Sequence, residues 1–346
     1  MDNDMTLLSA LVGDAEIEAL LSDAAQINAM LAVERALAEA CVHVDWISPE
    51  AAVAVQAVID GFTPDWQGLR AGMAQDGVVV PALIRQLREQ IAEPYRAALH
   101  KGATSQDVID TALMLQLVPV FDIYEQRLGA LLARLDGLAY DWSGRSLMAH
   151  TRMQVALPTT WDAKLASWSD PVQRQLRELA AMRRSLFVIQ LGGPVGDRSS
   201  FEGYGDEIAE HMARSLDLGI ARPWHTSRDT VVALGNRLAL ISGLLGKIGA
   251  DIALLAQNEV AALRLEGGGG SSAMAHKANP VNAEVLVALA RSNAGLVGIL
   301  QQAMVHEYER SGAAWTLEWL TLPQMLINTG ASLRLGLKLI DQIRPA

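Results

Sequence analysis

Apolar residues recur at helical spacing along almost the whole chain, and the runs between proline and glycine interruptions are long. Residues 5–42 are rich in Ala, Leu and Glu and predict helices; Pro49 marks a break, and Glu50 to Asp60 predicts another helix. Pro64, Gly68, Gly72 and Gly77 punctuate the next stretch, residues 82–99 return to helical pattern, and His100-Lys101-Gly102-Ala103 interrupts it. That interruption predicts a boundary between an N-terminal helical domain (residues 1–100) and a long-helix bundle (residues 101–346). From Asp229 to Glu266 there is no proline, and at about 1.5 Å per residue this stretch could reach roughly 57 Å. Within it Leu234, Leu238, Ile241, Leu245, Ile248, Ile252 and Leu255 follow a 4-3-4-3-4-3 spacing, the seam of a left-handed bundle. Leu240, Leu244 and Leu254 widen the apolar surface beyond one face, which predicts a central helix covered on several sides. Residues 281–305 predict a second such helix, and residues 105–139 a third that Pro119 should kink or divide.

The fold class is therefore all-α, and helices this long and apolar imply a homo-oligomer that shares their surfaces. Composition agrees: 51% of residues are hydrophobic and only 5% aromatic, with Ala and Leu carrying the excess. A formal net charge of −11 argues against nucleic-acid and anionic-membrane partners. It also means that any anionic ligand must be drawn by a local basic cluster. Cys41 is the only cysteine, which excludes an intrachain disulfide and a multi-thiolate zinc site. The start, Met-Asp-Asn-Asp, lacks a signal-peptide pattern, and charged residues interrupt the apolar runs, so a cytoplasmic protein is expected.

Candidate chemistry concentrates in Gly267–Asn279. Four glycines predict a loop able to close over a ligand. Ser271, Ser272, Lys277 and Asn279 then offer hydroxyl, ammonium and amide groups that suit a carboxylate. A plain flexible linker is the competing reading. A phosphate loop fits less well, because Lys277 follows His276 rather than a glycine. Gly102–Asp107 places Thr104 and Ser105 where an N-cap belongs, with Asp107 in the first turn, and a helix start presenting hydroxyls is also an anion site. Thr151–Thr160 contributes Arg152, Gln154 and Thr159 around Pro158. His225 and Arg228 open the long helix, and His306–Ser311, with Arg310, closes another; a solvated salt-bridge face would explain the latter as well. The Gly192-Gly193-Pro194 run reads as a loop.

These clusters, in this order, resemble the fumarase/aspartase superfamily over essentially the whole chain. The pattern Gly-Ser-Ser-x-Met-x-x-Lys-x-Asn is matched by Gly270, Ser271, Ser272, Met274, Lys277 and Asn279. The resemblance implies a helical homotetramer whose active sites draw on three subunits, with no metal or organic cofactor. It further implies Ser271, Lys277 and Asn279 as catalytic residues, and Thr104, Ser105, Arg152, Gln154, Thr159, Ser272, His225, Arg228 and Arg310 as substrate-binding. The run Gly-Ala-Thr-Ser-Gln-Asp and Trp224-His225-Thr226-x-Arg228-Asp229 look like the superfamily branch that lactonizes carboxymuconates.

Departures from the pattern sharpen this. Ala275 and Ala278 stand where proline and arginine are common, Arg152 and Val155 replace two histidines, and the chain stops near the last bundle helix where relatives continue into a third, small domain. A lyase expelling an amine or hydroxide needs the missing acid and would lose roughly 10²–10⁴ in rate without it. Lactonization, read backwards, expels a carboxylate whose conjugate acid has a pKa of about 4, which leaves unaided. Cycloisomerase chemistry is therefore expected over adenylosuccinate or argininosuccinate lyase chemistry. A helical oligomer that has lost catalysis is the third reading.

Overall fold

The computed structural model describes residues 6–270 and 278–346. Two short helices, Ser9–Val12 (α1) and Ala15–Leu20 (α2), lead into Asp23–His43 (α3), Pro49–Gly61 (α4), Trp66–Asp76 (α5) and Val80–Gln90 (α6). Ser22, Ser48 and Asp65 cap α3, α4 and α5 by accepting a first-turn N–H, and Pro49 occupies the first turn of α4, where its missing N–H costs nothing. Residues expected to continue as helix to 99 leave α6 at Gln90 and form a 3-10 turn over Glu93–Ala98, which Pro94 favours.

The bundle consists of Ser105–Asp141 (α7), Trp161–Leu186 (α8), Asp229–Leu255 (α10), Val281–Gln302 (α11) and Gly312–Gln342 (α12), with Gly205–Ser215 (α9) packed beside α3. Helix α10 touches α8, α11 and α12. All seven seam residues from Leu234 to Leu255 are buried, whereas Leu240 and Leu254 are 54% and 40% exposed. One chain thus covers the seam and leaves the widened face open. Gly246 and Gly249 let α11 approach closely, since a Cβ on either would fall within 2.7 Å of α11 atoms. Asn293 of α11 bonds Ser242 and Thr329, and Asn328 bonds Asn293, fixing the register of α10, α11 and α12 through one satisfied polar cluster.

Two expectations need correction. Pro119 does not divide α7, which runs unbroken through it while packing on α3, α8 and α12; that burial outweighs the roughly 3 kcal/mol that an internal proline costs. Helix α10 ends at Leu255, not Glu266, and the chain turns into strand Leu263–Leu265 (β3). Strands Ser146–Thr151 (β1) and Gln154–Thr160 (β2) form an antiparallel hairpin, and β3 pairs with Ile343–Pro345 (β4) at the end of the chain. Helices α10 and α11 have the length and hydropathy of membrane spans, yet α10 buries its apolar seam inside the bundle.

Candidate active site

At the start of α7 the backbone and three carboxylates, Asp107, Asp110 and Glu318, are locked together. Thr104 is the N-cap, as expected, and its N–H donates to Asp107 Oδ2 at 3.0 Å. The buried Asp107 carboxylate also accepts the N–H groups of Gly192 (2.7 Å) and Gly193 (2.9 Å), and His225 Nε2 lies 2.8 Å from its Oδ1. An ionised carboxylate only accepts, so this contact places the His225 proton on Nε2. Gly193 is at φ +72°, and a Cβ there would sit 2.2 Å from Ser200 Oγ; only glycine delivers its N–H here. The run read as a plain loop is thus part of the frame.

Behind it, Arg228 is buried and bonds both Asp110 oxygens (2.7 and 3.1 Å) and both Glu318 oxygens (2.9 and 2.6 Å). Burial alone would lower the Arg228 pKa, but Asp110 and Glu318 overcome it and raise it above the usual arginine value. Burial would likewise raise Glu318, yet His306 and Arg228 hold it below the usual carboxylate range. Arg228, expected to meet substrate, therefore has its guanidinium occupied by two carboxylates and enclosed by Trp224. Gln106 bridges this frame to the surface: its amide donates to Asp110 and to the His225 carbonyl, and its oxygen accepts from Arg310 Nε at 3.1 Å. Arg310 remains exposed.

In front of the frame, Ser105 lines a cavity of about 520 Å³ together with Arg85, Arg88, Arg96, His100 and one carboxylate, Glu89. His100 Nδ1 lies 2.6 Å from Oε1 of the fully buried Glu34. Burial alone would lower the His100 pKa, but the charge and hydrogen bond of Glu34 prevail and leave it raised. This is the local basic cluster that an acidic chain needs, and the start of α7 adds its own partial positive charge.

The other expected residues lie at the far end of the bundle. Arg152 and Met153 form the two-residue tip of the β1–β2 hairpin, at φ +48° and +64°. A type I′ turn requires positive φ at both, a conformation that costs roughly 1–2 kcal/mol per non-glycine residue. Arg152, Gln154 and Thr159 share a cavity of about 900 Å³ with His150, Lys164 and Asp251. Asn279 pairs with Gly269 through two backbone hydrogen bonds of 2.9 and 2.8 Å. A Cβ on Gly269 would sit 2.5 Å from Val281 Cγ2, so this glycine serves close approach rather than hinge freedom. Ser271, Ser272 and Lys277 lie outside the described residues.

Thr104, Ser105, His225, Arg228 and Arg310 are thus gathered at one end, and Arg152, Gln154, Thr159 and Asn279 lie toward the other. The 37 residues of α7 separate the two ends, about 55 Å at 1.5 Å per residue. Among the described residues no group of His, Cys, Asp or Glu is arranged to hold a metal ion. Sequence reasoning missed Arg85, Arg88, Arg96, His100, Asp110 and Glu318. The Arg85–Arg88 spacing on the polar side of α6 was a readable signal; the convergence of Asp110 and Glu318, 208 positions apart, on Arg228 left none.

A family model described as lyase matches residues 12–295. The 3-carboxy-cis,cis-muconate cycloisomerase of Acinetobacter baylyi is 33% identical over 94% of this chain and 74% of its own length. An N-acetyl-S-(2-succino)cysteine lyase of Enterococcus italicus is 31% identical over 99% of this chain and 76% of its own. The crystal structure of 3-carboxy-cis,cis-muconate lactonizing enzyme from Pseudomonas putida superposes with a TM-score of 0.93 at 33% identity, covering 98% of this chain and 78% of that one.

Proposed function

The chain belongs to the lyase family, and from that premise we propose that it is a cycloisomerase closing 3-carboxy-cis,cis-muconate to 4-carboxymuconolactone, as the names of its relatives indicate. The observation that carries this reading is the cavity at the start of α7, where Arg85, Arg88, Arg96 and His100 outnumber the one carboxylate, Glu89, in a lining shared with Ser105. A tricarboxylate needs such a concentration of charge, and a monocarboxylate does not.

One chain holds the parts of a site at opposite ends, so the working site is assembled between copies, most simply in a homotetramer. The exposed Leu240 and Leu254 of α10, and Met153, Val155 and Leu157 of the hairpin, are the apolar surface that partner copies would cover. One copy then contributes the basic cavity with Thr104 and Ser105. A second contributes Arg152, Gln154 and Thr159, and a third Ser271, Ser272, Lys277 and Asn279. His225 and Arg228 act from behind, holding Asp107, Asp110 and Glu318 so that the start of α7 keeps its aim.

In the reaction one substrate carboxylate oxygen forms a bond to a diene carbon, and the π electrons move onto another carboxylate as an aci-carboxylate. Lys277 and Asn279 stabilise that charge. Ser271 then gives a proton to the α-carbon and recovers one from solvent, so each trianion consumes one proton and leaves as a dianion. Arg152 steadies the carboxylate that adds, which in reverse is the leaving group, so no histidine acid is required. No metal or organic cofactor takes part. The enzyme works as a soluble protein of the cytoplasm.

The test is loss of diene absorbance from 3-carboxy-cis,cis-muconate, with Ser271→Ala in parallel. Rapid loss that the variant abolishes supports the reading. Turnover of adenylosuccinate or argininosuccinate in its place would overturn it.

A further inference from the structure

Gln342, the last residue of α12, is bonded to both feet of the segment that carries Asn279. On one side its carbonyl accepts the Glu266 N–H at 2.9 Å and its Nε2 donates to the Gly267 carbonyl at 3.4 Å. On the other, its Oε1 accepts from Asn282 Nδ2 at 2.8 Å. Between these feet lies the neck formed by the Gly269–Asn279 pair. The β3–β4 ladder and the 2.7 Å Arg344–Glu266 ion pair fasten the same foot to the end of α12. Gly267 is at φ +73°, so its carbonyl is presented by a backbone turn and not by a strand.

We propose that Gln342 is a positioning residue for the cycloisomerase reaction, its side chain setting the separation of the two feet and thereby the aim of Asn279. A helix end needs no such arrangement: one N–H donor to its last carbonyl closes α12, whereas here the side-chain amide also donates to the Gly267 carbonyl and accepts from the Asn282 side chain, on opposite sides of the neck. The proposal rests on the charge-stabilising role proposed for Asn279 above. Misplacing a polar group by about 1 Å in a preorganised site costs up to 10²-fold in rate.

The experiment compares Gln342→Met, which keeps the length and loses both side-chain bonds, with Gln342→Glu, which keeps the acceptor for Asn282. Backbone hydrogen exchange over residues 266–282 is read first, because it does not depend on activity. The expected result for Gln342→Met is about tenfold faster exchange at Gly269 and Asn279 with an unchanged melting temperature, since the opening is local. Turnover of 3-carboxy-cis,cis-muconate should show kcat about tenfold lower with KM within about twofold, and Gln342→Glu, which keeps the Asn282 bond and loses the Gly267 bond, should fall between Gln342→Met and the parent. Unchanged exchange, or a kcat loss matched by an equal loss of global stability, overturns the proposal. Full activity in Asn279→Ala would instead overturn the assignment of Asn279, whatever Gln342 does to exchange.

Discussion

His225 Nε2 lies 2.8 Å from Asp107 Oδ1, a contact across 118 positions that ties the entry of α10 to the first turn of α7. The same carboxylate accepts from Thr104, Gly192 and Gly193, so Asp107 joins three chain segments at one point. Replacing it with alanine leaves buried donors unpaired, each costing about 1–3 kcal/mol. Asp107→Ala should lose at least about 3 kcal/mol in urea unfolding, while Asp107→Asn, which keeps an acceptor, should lose less. Equal stability of the two variants would contradict the role given to the carboxylate.

Arg228 bridges Asp110 and Glu318 inside the bundle. Removing the cation strands two buried carboxylates, and breaking such a pair costs about 3–5 kcal/mol. Arg228→Met should unfold earlier by an amount in that range. Arg228→Lys should rescue little, because an ammonium cannot make two bidentate contacts. A lysine variant as stable as the parent would show that charge alone suffices.

The pH dependence follows from His100 and Glu34. The folded pKa of His100 is raised above its ordinary 6.5. Its stabilising contribution is therefore complete below about 6.5 and is lost as pH climbs through the raised value. If His100 helps hold the tricarboxylate, KM should rise over that same interval above 6.5. Glu34→Gln removes the charge that raises His100, so the KM rise should begin at lower pH. An unmoved profile in that variant would remove His100 from the binding site.

The open face of α10 carries a prediction about assembly. Leu240 and Leu254 are exposed in one chain. Leu240→Glu should shift the mass by light scattering toward a single chain and abolish turnover, with helical content retained. A variant that stays assembled and active would place the interface elsewhere.

What the sequence made legible follows from which signals are local. The heptad seam of α10 could be read because its seven positions between Leu234 and Leu255 repeat along one helix, and all seven are buried. The end of α10 was missed because Gln257–Ala262 contains neither proline nor glycine to stop it. The hairpin was missed because Arg152-Met153 lacks the Asn-Gly signal that a type I′ turn normally displays. Thr104 and Ser105 were found through their capping pattern. Arg228 was singled out for its charge, but its burial depends on Asp110 and Glu318, which reach it only through folding. Cavity residues Arg85 and His100 belong to segments that gain meaning once α6 is laid beside α7.

The proposed site is divided between the ends of one molecule, and mixing two defective chains tests that division directly. One chain carries Arg85→Ala and Arg88→Ala at the basic cavity, and the other carries Ser271→Ala. Each is expected to be inactive alone on 3-carboxy-cis,cis-muconate. Dissociated and reassembled together, they should recover about a quarter of normal turnover, since some shared sites then receive only intact parts. Recovery would establish that the parts come from different copies. Assembled mixtures that remain inactive would contradict the account.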